Sequence, residues 1–312
     1  MFEQALSLIG SFETIIIHRH KNPDGDAIGS QTGLYNIIKI NYPQKTLYMV
    51  GDDPGRYAFI AGRPMDDVPD SVFENALSII LDTSAKALIS DTRYGIAART
   101  LRIDHHLFVE KIADVEVVDT SFESCASLVT QMAIECNLEV TKEAASALFA
   151  GMVTDSGRFR FDCTSAGTFR RAGFLKDRGI DTNAIYSGLY TTTIEEMKLK
   201  ASFIEKIELT RKNVAYYYVT KAELEKLGLS AHNAARGYVN TMADMKGVII
   251  WAAFAEGEEG ILCELRSAGP DINAIAVKYG GGGHKKASGA TLRDRQTVEA
   301  MLRDLDETAD KW

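Results

Sequence analysis

The chain has 312 residues, 46% of them hydrophobic and 25% charged, with a net charge of −8; this is globular composition, long enough for two cores. Residues 206–312 carry 15 basic and 15 acidic side chains, so the acidic excess lies in the first two-thirds. Composition thus shows no broad basic stripe for long nucleic acid, no apolar run nears the ~18 residues of a membrane span, and Met1-Phe2-Glu3-Gln4 does not read as a signal peptide, which makes a cytoplasmic location the expectation.

The first two-thirds alternate apolar β-like runs with helical patterns. Thr14-Ile15-Ile16-Ile17 is the first strand. His20-Lys21-Asn22-Pro23-Asp24-Gly25-Asp26 follows it, an irregular loop in which two carboxylates can face one cation or two adjacent ones. Alone this is equally an Asp- and Gly-rich turn. A helix is expected from about Gly29 to Ile40, with Gly29-Ser30 at its N-terminus offering N–H groups to an anion. Further strands are expected at 47–50, 78–81, 101–103 and 115–118. Near-continuous apolar strands separated by helices predict a mostly parallel sheet flanked by helices.

Asp82 directly follows the strand at 78–81, and Asp104-His105-His106 closes the run Leu101-Arg102-Ile103. Helices are expected from Ser121 or Ser124 to about Asn137, and from Thr141 to about Val153-Thr154. Asp155, in Thr154-Asp155-Ser156-Gly157-Arg158-Phe159, ends the second of them. The cysteines at 125, 136, 163 and 263 form no C-x-x-C pair, and reduced thiols in or near cores are expected.

Residues 190–207 read as a charged helical linker between a first domain, 1–189, and a smaller α/β domain, 208–312. Strands are expected there at 214–219, 247–252 and 261–265. Four glycines, Gly280 to Gly283, precede His284. Such a run lets backbone N–H groups converge on an anion, while His284 and Arg266 can add charged hydrogen bonds.

Three of the acidic or histidine-bearing segments lie at carboxyl ends of strands, where parallel α/β proteins build their sites. With the fourth segment, at a helix end, they supply His20, Asp24, Asp26, Asp82, His105, His106 and Asp155. Imidazole mixed with carboxylate suits Mn²⁺, Fe²⁺ or Zn²⁺, and carboxylate-rich sets lean to Mn²⁺ or Mg²⁺.

The ordered pattern H-x-x-x-D-x-D, a lone Asp after the next strand, D-H-H and T-D-S-G resembles the DHH phosphoesterases. The tail Gly280-Gly281-Gly282-Gly283-His284-Lys285-Lys286-Ala287-Ser288-Gly289, preceded by Arg266-Ser267, resembles the GGGH signature of their associated C-terminal domain. Within the family the chain resembles the short two-domain nanoRNases that also dephosphorylate 3′-phosphoadenosine 5′-phosphate (pAp). The resemblance implies two Mn²⁺ ions, with Mg²⁺ or another divalent cation as a substitute. His20, Asp24 and Asp82 would hold one, and Asp26, Asp82, His105 and Asp155 the other. Asp82 would bridge them, and the pair would activate a water for attack on phosphorus.

His106 would contact the scissile phosphate, Asp104 would support the histidine pair, and Arg158 would stabilise developing charge. The residues themselves leave open which histidine binds metal. Arg266, Ser267, Gly281, Gly282, Gly283 and His284 would hold the rest of the substrate. Substrates would be short RNA oligonucleotides and small phosphorylated nucleotides, with no long nucleic-acid track and no membrane, and a homodimer is compatible with the family. Alternatives are a cyclic or linear dinucleotide phosphodiesterase and, from another class, a non-catalytic nucleotide-binding regulator.

Overall fold

The computed structural model describes residues 2–312. Two compact units result, one ending at Thr191 and the other spanning Thr192–Trp312. Among the described residues no helix is long and apolar enough to cross a membrane.

The first unit is built on five parallel strands in the order β2-β1-β3-β4-β5. These are β1 (Thr14–His18), β2 (Thr46–Met49), β3 (Leu77–Leu81), β4 (Arg99–Asp104) and β5 (Val115–Val118). Ile15, Ile16 and Ile17 are wholly buried, as expected of a strand covered on both faces. The strand order reverses between β1 and β3. Side chains leaving those two strands therefore share the crevice where open α/β sheets place their ligands.

Two helices supply the remaining site residues, Gly25–Asn41 and Lys142–Asp155. They approach closely at Gly29, where an added Cβ would lie 2.6 Å from the Ala147 carbonyl oxygen. The first helix thus begins four residues before Gly29, because the Asp24 side chain accepts from the N–H groups of Asp26 and Ala27. Gly29 and Ser30 are buried inside it, so they offer no free N-terminal N–H to an anion. The helices Cys125–Glu135 and Lys142–Asp155 are capped by Ser124 and Thr141. The second runs one residue beyond the expected end.

The second unit has a six-stranded mixed sheet in the order β10-β11-β9-β8-β7-β6. Its strands are β6 (Glu208–Leu209), β7 (Ala215–Val219), β8 (Ile250–Glu256), β9 (Ile261–Ser267), β10 (Gly282–His284) and β11 (Ala287–Leu292). β8 begins three residues later than expected, since Gly247 takes a left-handed turn conformation with φ of 81°. The 190–207 stretch is not one helix. One helix ends at Tyr190 and another, Ile194–Ile204, starts on a capping box between Thr193 and Glu196. Phe203 of this helix is fully buried, stacked 4.1 Å from Tyr238 within the second unit's core. All four cysteines are free; Cys125 and Cys263 are buried and Cys163 is exposed.

Candidate metal centre

The crevice beyond β1, β3 and β4 gathers six of the predicted ligands. Asp24 caps its helix with Oδ1, 3.0 Å from the amides of both Asp26 and Ala27. Capping of this kind is worth about 1 kcal/mol. Asp26, two residues on and fully buried, accepts from the amides of Cys125 at 2.7 Å and Ala126 at 2.9 Å. Those amides open another helix, whose positive end favours a carboxylate. Asp82 leaves β3 with φ of 53° and only 2% exposure, a left-handed conformation that Asp tolerates better than most side chains.

His20 Nε2 stands 3.7 Å from Asp24 Oδ1 and 3.5 Å from Asp82 Oδ2. His105 Nε2 stands 3.4 Å from Asp82 Oδ1, 3.3 Å from Asp155 Oδ2 and 3.8 Å from Asp26 Oδ2. Donors each about 2.1 Å from one ion lie roughly 3.0–3.5 Å apart, so most of these separations suit shared coordination better than direct hydrogen bonding. Three overlapping sets form: His20, Asp24 and Asp82; Asp26, His105 and Asp155; and Asp82, His105 and His106. Buried Asp82 Oδ1 and His105 Nε2 have no hydrogen-bond partner. Such orphaned atoms call for a ligand of their own, and the donor set fits divalent cations.

Charge inside the crevice is balanced internally by protons. Burial opposes a charge on His20, yet Asp24 and Asp82 outweigh it and push its pKa up to about 11. His105 is likewise pushed up to about 11 against burial, chiefly by Asp82. Burial and Asp82 push Asp155 up to about 7 and Asp26 well above the usual carboxylate range. Asp82 moves the other way: His105 and His20 hold it far below that range despite burial. A divalent cation would take over the balancing that the two imidazolium protons perform.

The two histidines of Asp104-His105-His106 are held differently. His105 Nδ1 lies 3.2 Å from the Phe122 carbonyl, which turns Nε2 toward the three carboxylates. That is the second contact expected of a metal-binding histidine. His106 Nδ1 instead lies 2.8 Å from Asp104 Oδ1, and its side chain is 43% exposed. Asp104 is wholly buried beside Arg102, whose Nη2 donates to it at 2.5 Å. Despite burial, His106 and Arg102 keep Asp104 below the usual carboxylate range. With Nδ1 donating to this carboxylate, the Nε2 atom of His106 is the one available to a phosphate.

Sequence reasoning missed Arg102 and the Phe122 carbonyl. Arg102 had a signal, a lone cation in the apolar run before Asp104. The Phe122 contact had none, since it joins positions 17 residues apart. Arg158 lies outside the three donor sets, with its guanidinium 3.8 Å above the Tyr190 ring.

The predicted substrate residues of the second unit form a small neighbourhood of β9, β10 and β11. Gly282, Gly283 and His284 pair with Gly289, Ser288 and Ala287, and Arg266 lies opposite Ala287. Two of the glycines serve this pairing: a Cβ at Gly281 would fall 2.1 Å from the Gly289 carbonyl oxygen and one at Gly283 2.6 Å from the Ala287 carbonyl oxygen. The Gly281 amide donates to Ala276 at 2.8 Å, so it is not free for an anion. Arg266 Nη1 donates to Glu264 at 2.8 Å, and the Ser267 hydroxyl oxygen accepts from the Gly269 amide at 3.0 Å.

A parallel α/β sheet whose switch point carries overlapping histidine–carboxylate sets defines a hydrolytic phosphoesterase. The chain belongs to the DHH family. The DHH family N-terminal domain matches residues 14–152 and the DHHA1 domain matches residues 212–311. The chain is 34% identical to the bifunctional oligoribonuclease and PAP phosphatase NrnA of Bacillus subtilis, over 98% of each chain. It is 31% identical to the protein of the same name from Mycoplasma genitalium, over 96% of this chain and 95% of that one. Among solved structures, an exopolyphosphatase-related protein from Bacteroides fragilis superposes with a TM-score of 0.85 at 25% identity, covering 99% of this chain and 95% of that one.

Proposed function

We propose that the protein hydrolyses short oligoribonucleotides to mononucleotides and removes the 3′-phosphate of pAp, with two Mn²⁺ ions at the crevice. The observation that carries the two-ion reading is the position of Asp82, shared by the His20–Asp24 set and, through its 3.4 Å approach to His105, the Asp26–Asp155 set. The names of the two relatives support the substrate class.

Bound divalent cations would polarise the phosphate and lower the pKa of a water. The protein's own groups do the rest. Asp26, His105 and Asp155 hold one side of the centre and His20 and Asp24 the other. Asp104 fixes the His106 ring so that Nε2 faces the phosphate and stabilises charge on its oxygens. Arg158 adds positive charge near Asp155. In the second unit Arg266, Ser267, Gly281 to Gly283 and His284 hold the part of the substrate that does not react. The catalytic domain is assigned to residues 1–189 and the substrate-binding domain to 208–312. The net charge of −8, with no broad basic stripe in the composition, favours short substrates.

A parallel assay of pAp, di- to pentaribonucleotides, cyclic di-AMP and pyrophosphate with Mn²⁺ and an EDTA control tests this. Expected is EDTA-sensitive release of phosphate from pAp and of mononucleotides from the oligomers. Turnover confined to cyclic di-AMP or pyrophosphate, or unaffected by EDTA, would overturn it.

A further inference from the structure

The rim of the crevice carries a second chemistry that the metal ligands do not use. Arg158 follows Asp155 by three residues, on a turn where Gly157, Arg158 and Phe159 have φ values of 58°, 63° and 62°. Two consecutive non-glycine residues in the left-handed region are costly, and such strain gathers at functional sites. The turn is pinned by the Arg158 amide, which donates to the Val153 carbonyl at 2.8 Å. The turn throws the Arg158 side chain outward, where its guanidinium carbon sits 3.8 Å above the Tyr190 ring centroid. Among the described residues Arg158 forms no ion pair, although its side chain is cationic and exposed.

The neighbouring groups continue the surface. Arg56 Nη2 donates to the Leu189 carbonyl at 2.5 Å, which ties the Arg56-Tyr57 segment to the Tyr190 end of its helix. The Arg56 guanidinium carbon in turn lies 5.3 Å from the Tyr57 ring centroid. Behind them Tyr186 lies 5.9 Å from Tyr190 and 6.5 Å from buried Phe149, so the outer rings rest on the core. The Tyr57 phenol is pushed up chiefly by burial, opposed by Arg56 and reinforced by Asp24.

We infer that Arg56, Tyr57, Arg158 and Tyr190 form a planar, cationic shelf that stacks one nucleobase of the substrate beside the reacting phosphate. Nucleobases stack on aromatic rings and on guanidinium planes, and neither platform discriminates strongly among bases. The two guanidinium groups, Arg56 and Arg158, also complement a nucleotide's negative charge. The shelf would make the first unit itself selective for nucleotides over other phosphate esters. This assignment rests on the proposed oligonucleotide substrate, and it gives Arg158 a base-stacking role beyond charge stabilisation.

The test offers the Mn²⁺-loaded protein a diribonucleotide and the same compound made abasic at its 5′ or its 3′ position. Both kcat/KM and Kd are measured for the full chain and its variants. The wild-type protein should prefer the base-bearing compound at one of the two positions. Tyr57→Ala, Tyr190→Ala and Arg158→Lys should each reduce that preference by about 5- to 150-fold, the range of a lost base stack. Tyr57→Phe and Tyr190→Phe should retain it. Lysine at 158 keeps the charge and loses the plane, so a purely phosphate-directed Arg158 would leave the preference intact.

A merely structural role would weaken both compounds together; an unchanged preference at both positions in all three variants overturns the shelf. The Kd ratios report on it even if the wild-type protein cleaves neither compound, an outcome that would instead reject the oligonucleotidase reading.

Discussion

Asp82 Oδ1 stands 3.4 Å from His105 Nε2, and both atoms are buried without a hydrogen-bond partner. Leaving a buried polar atom unsatisfied costs about 1–3 kcal/mol, so the pair makes physical sense as two ligands waiting on one cation. Asp82 also faces His20 from its other oxygen, at 3.5 Å. Asp82→Asn keeps the shape and tolerates the left-handed backbone, while removing the charge. Hydrolysis should fall below detection, and metal analysis should show loss of bound cation. Near-normal Mn²⁺-dependent turnover would show that Asp82 is not shared.

Asp104 should behave differently, because it belongs to none of the donor sets and meets them only through the His106 ring and the His105 and His106 amides. Asp104→Asn leaves the Arg102 cavity filled and changes what the His106 ring is bonded to. A loss of about 10- to 100-fold in kcat is expected, the usual size of an outer-shell change. Bound metal should stay unchanged. Loss of metal in parallel with kcat would make Asp104 part of the ligand architecture.

Metal binding should release protons. Without a cation His20 and His105 are pushed up to about 11 and Asp155 to about 7. A cation needs all three deprotonated. Raising the pH removes the competing proton from Asp155 near neutrality, so Mn²⁺ affinity should climb as pH rises through about 7. Titration calorimetry in buffers of different ionisation enthalpy reads the released protons directly. A heat independent of buffer, with an affinity flat in pH, would contradict this balance.

His284→Ala should raise KM while leaving Mn²⁺ occupancy as it was, since His284 lies in β10 of the second unit and belongs to none of the donor sets. Equilibrium dialysis with Mn²⁺ alongside steady-state kinetics separates the two quantities. Falling occupancy with an unchanged KM would remove the second unit from substrate binding.

Much of the site could be read in advance because its ligands follow strands. An apolar run such as Ser78-Ile79-Ile80-Leu81 announces its own end, and the next polar residue, Asp82, falls at the sheet's carboxyl edge. Helix starts were harder. Asp24 was legible as a ligand but not as the cap that starts its helix, since capping and coordination ask for the same residue type. Gly29 looked like a helix opening, and only the close passage of the Lys142–Asp155 helix shows why glycine is needed there. The two histidines differ in contacts that no local pattern announces, His105 to the Phe122 carbonyl and His106 to Asp104. Of the four glycines before His284, Gly281 and Gly283 also let the chain pass close to β11, where an added Cβ would meet the Gly289 and Ala287 carbonyl oxygens. The Arg158–Tyr190 contact joins residues 32 positions apart through a strained turn, and no local pattern marks it.

Anomalous X-ray diffraction from crystals grown with Mn²⁺ tests the account most directly. It should show two peaks per chain. One should be ligated by His20, Asp24 and Asp82, and the other by Asp26, Asp82, His105 and Asp155, with Asp82 common to both. A single peak, or two that do not share Asp82, would contradict it.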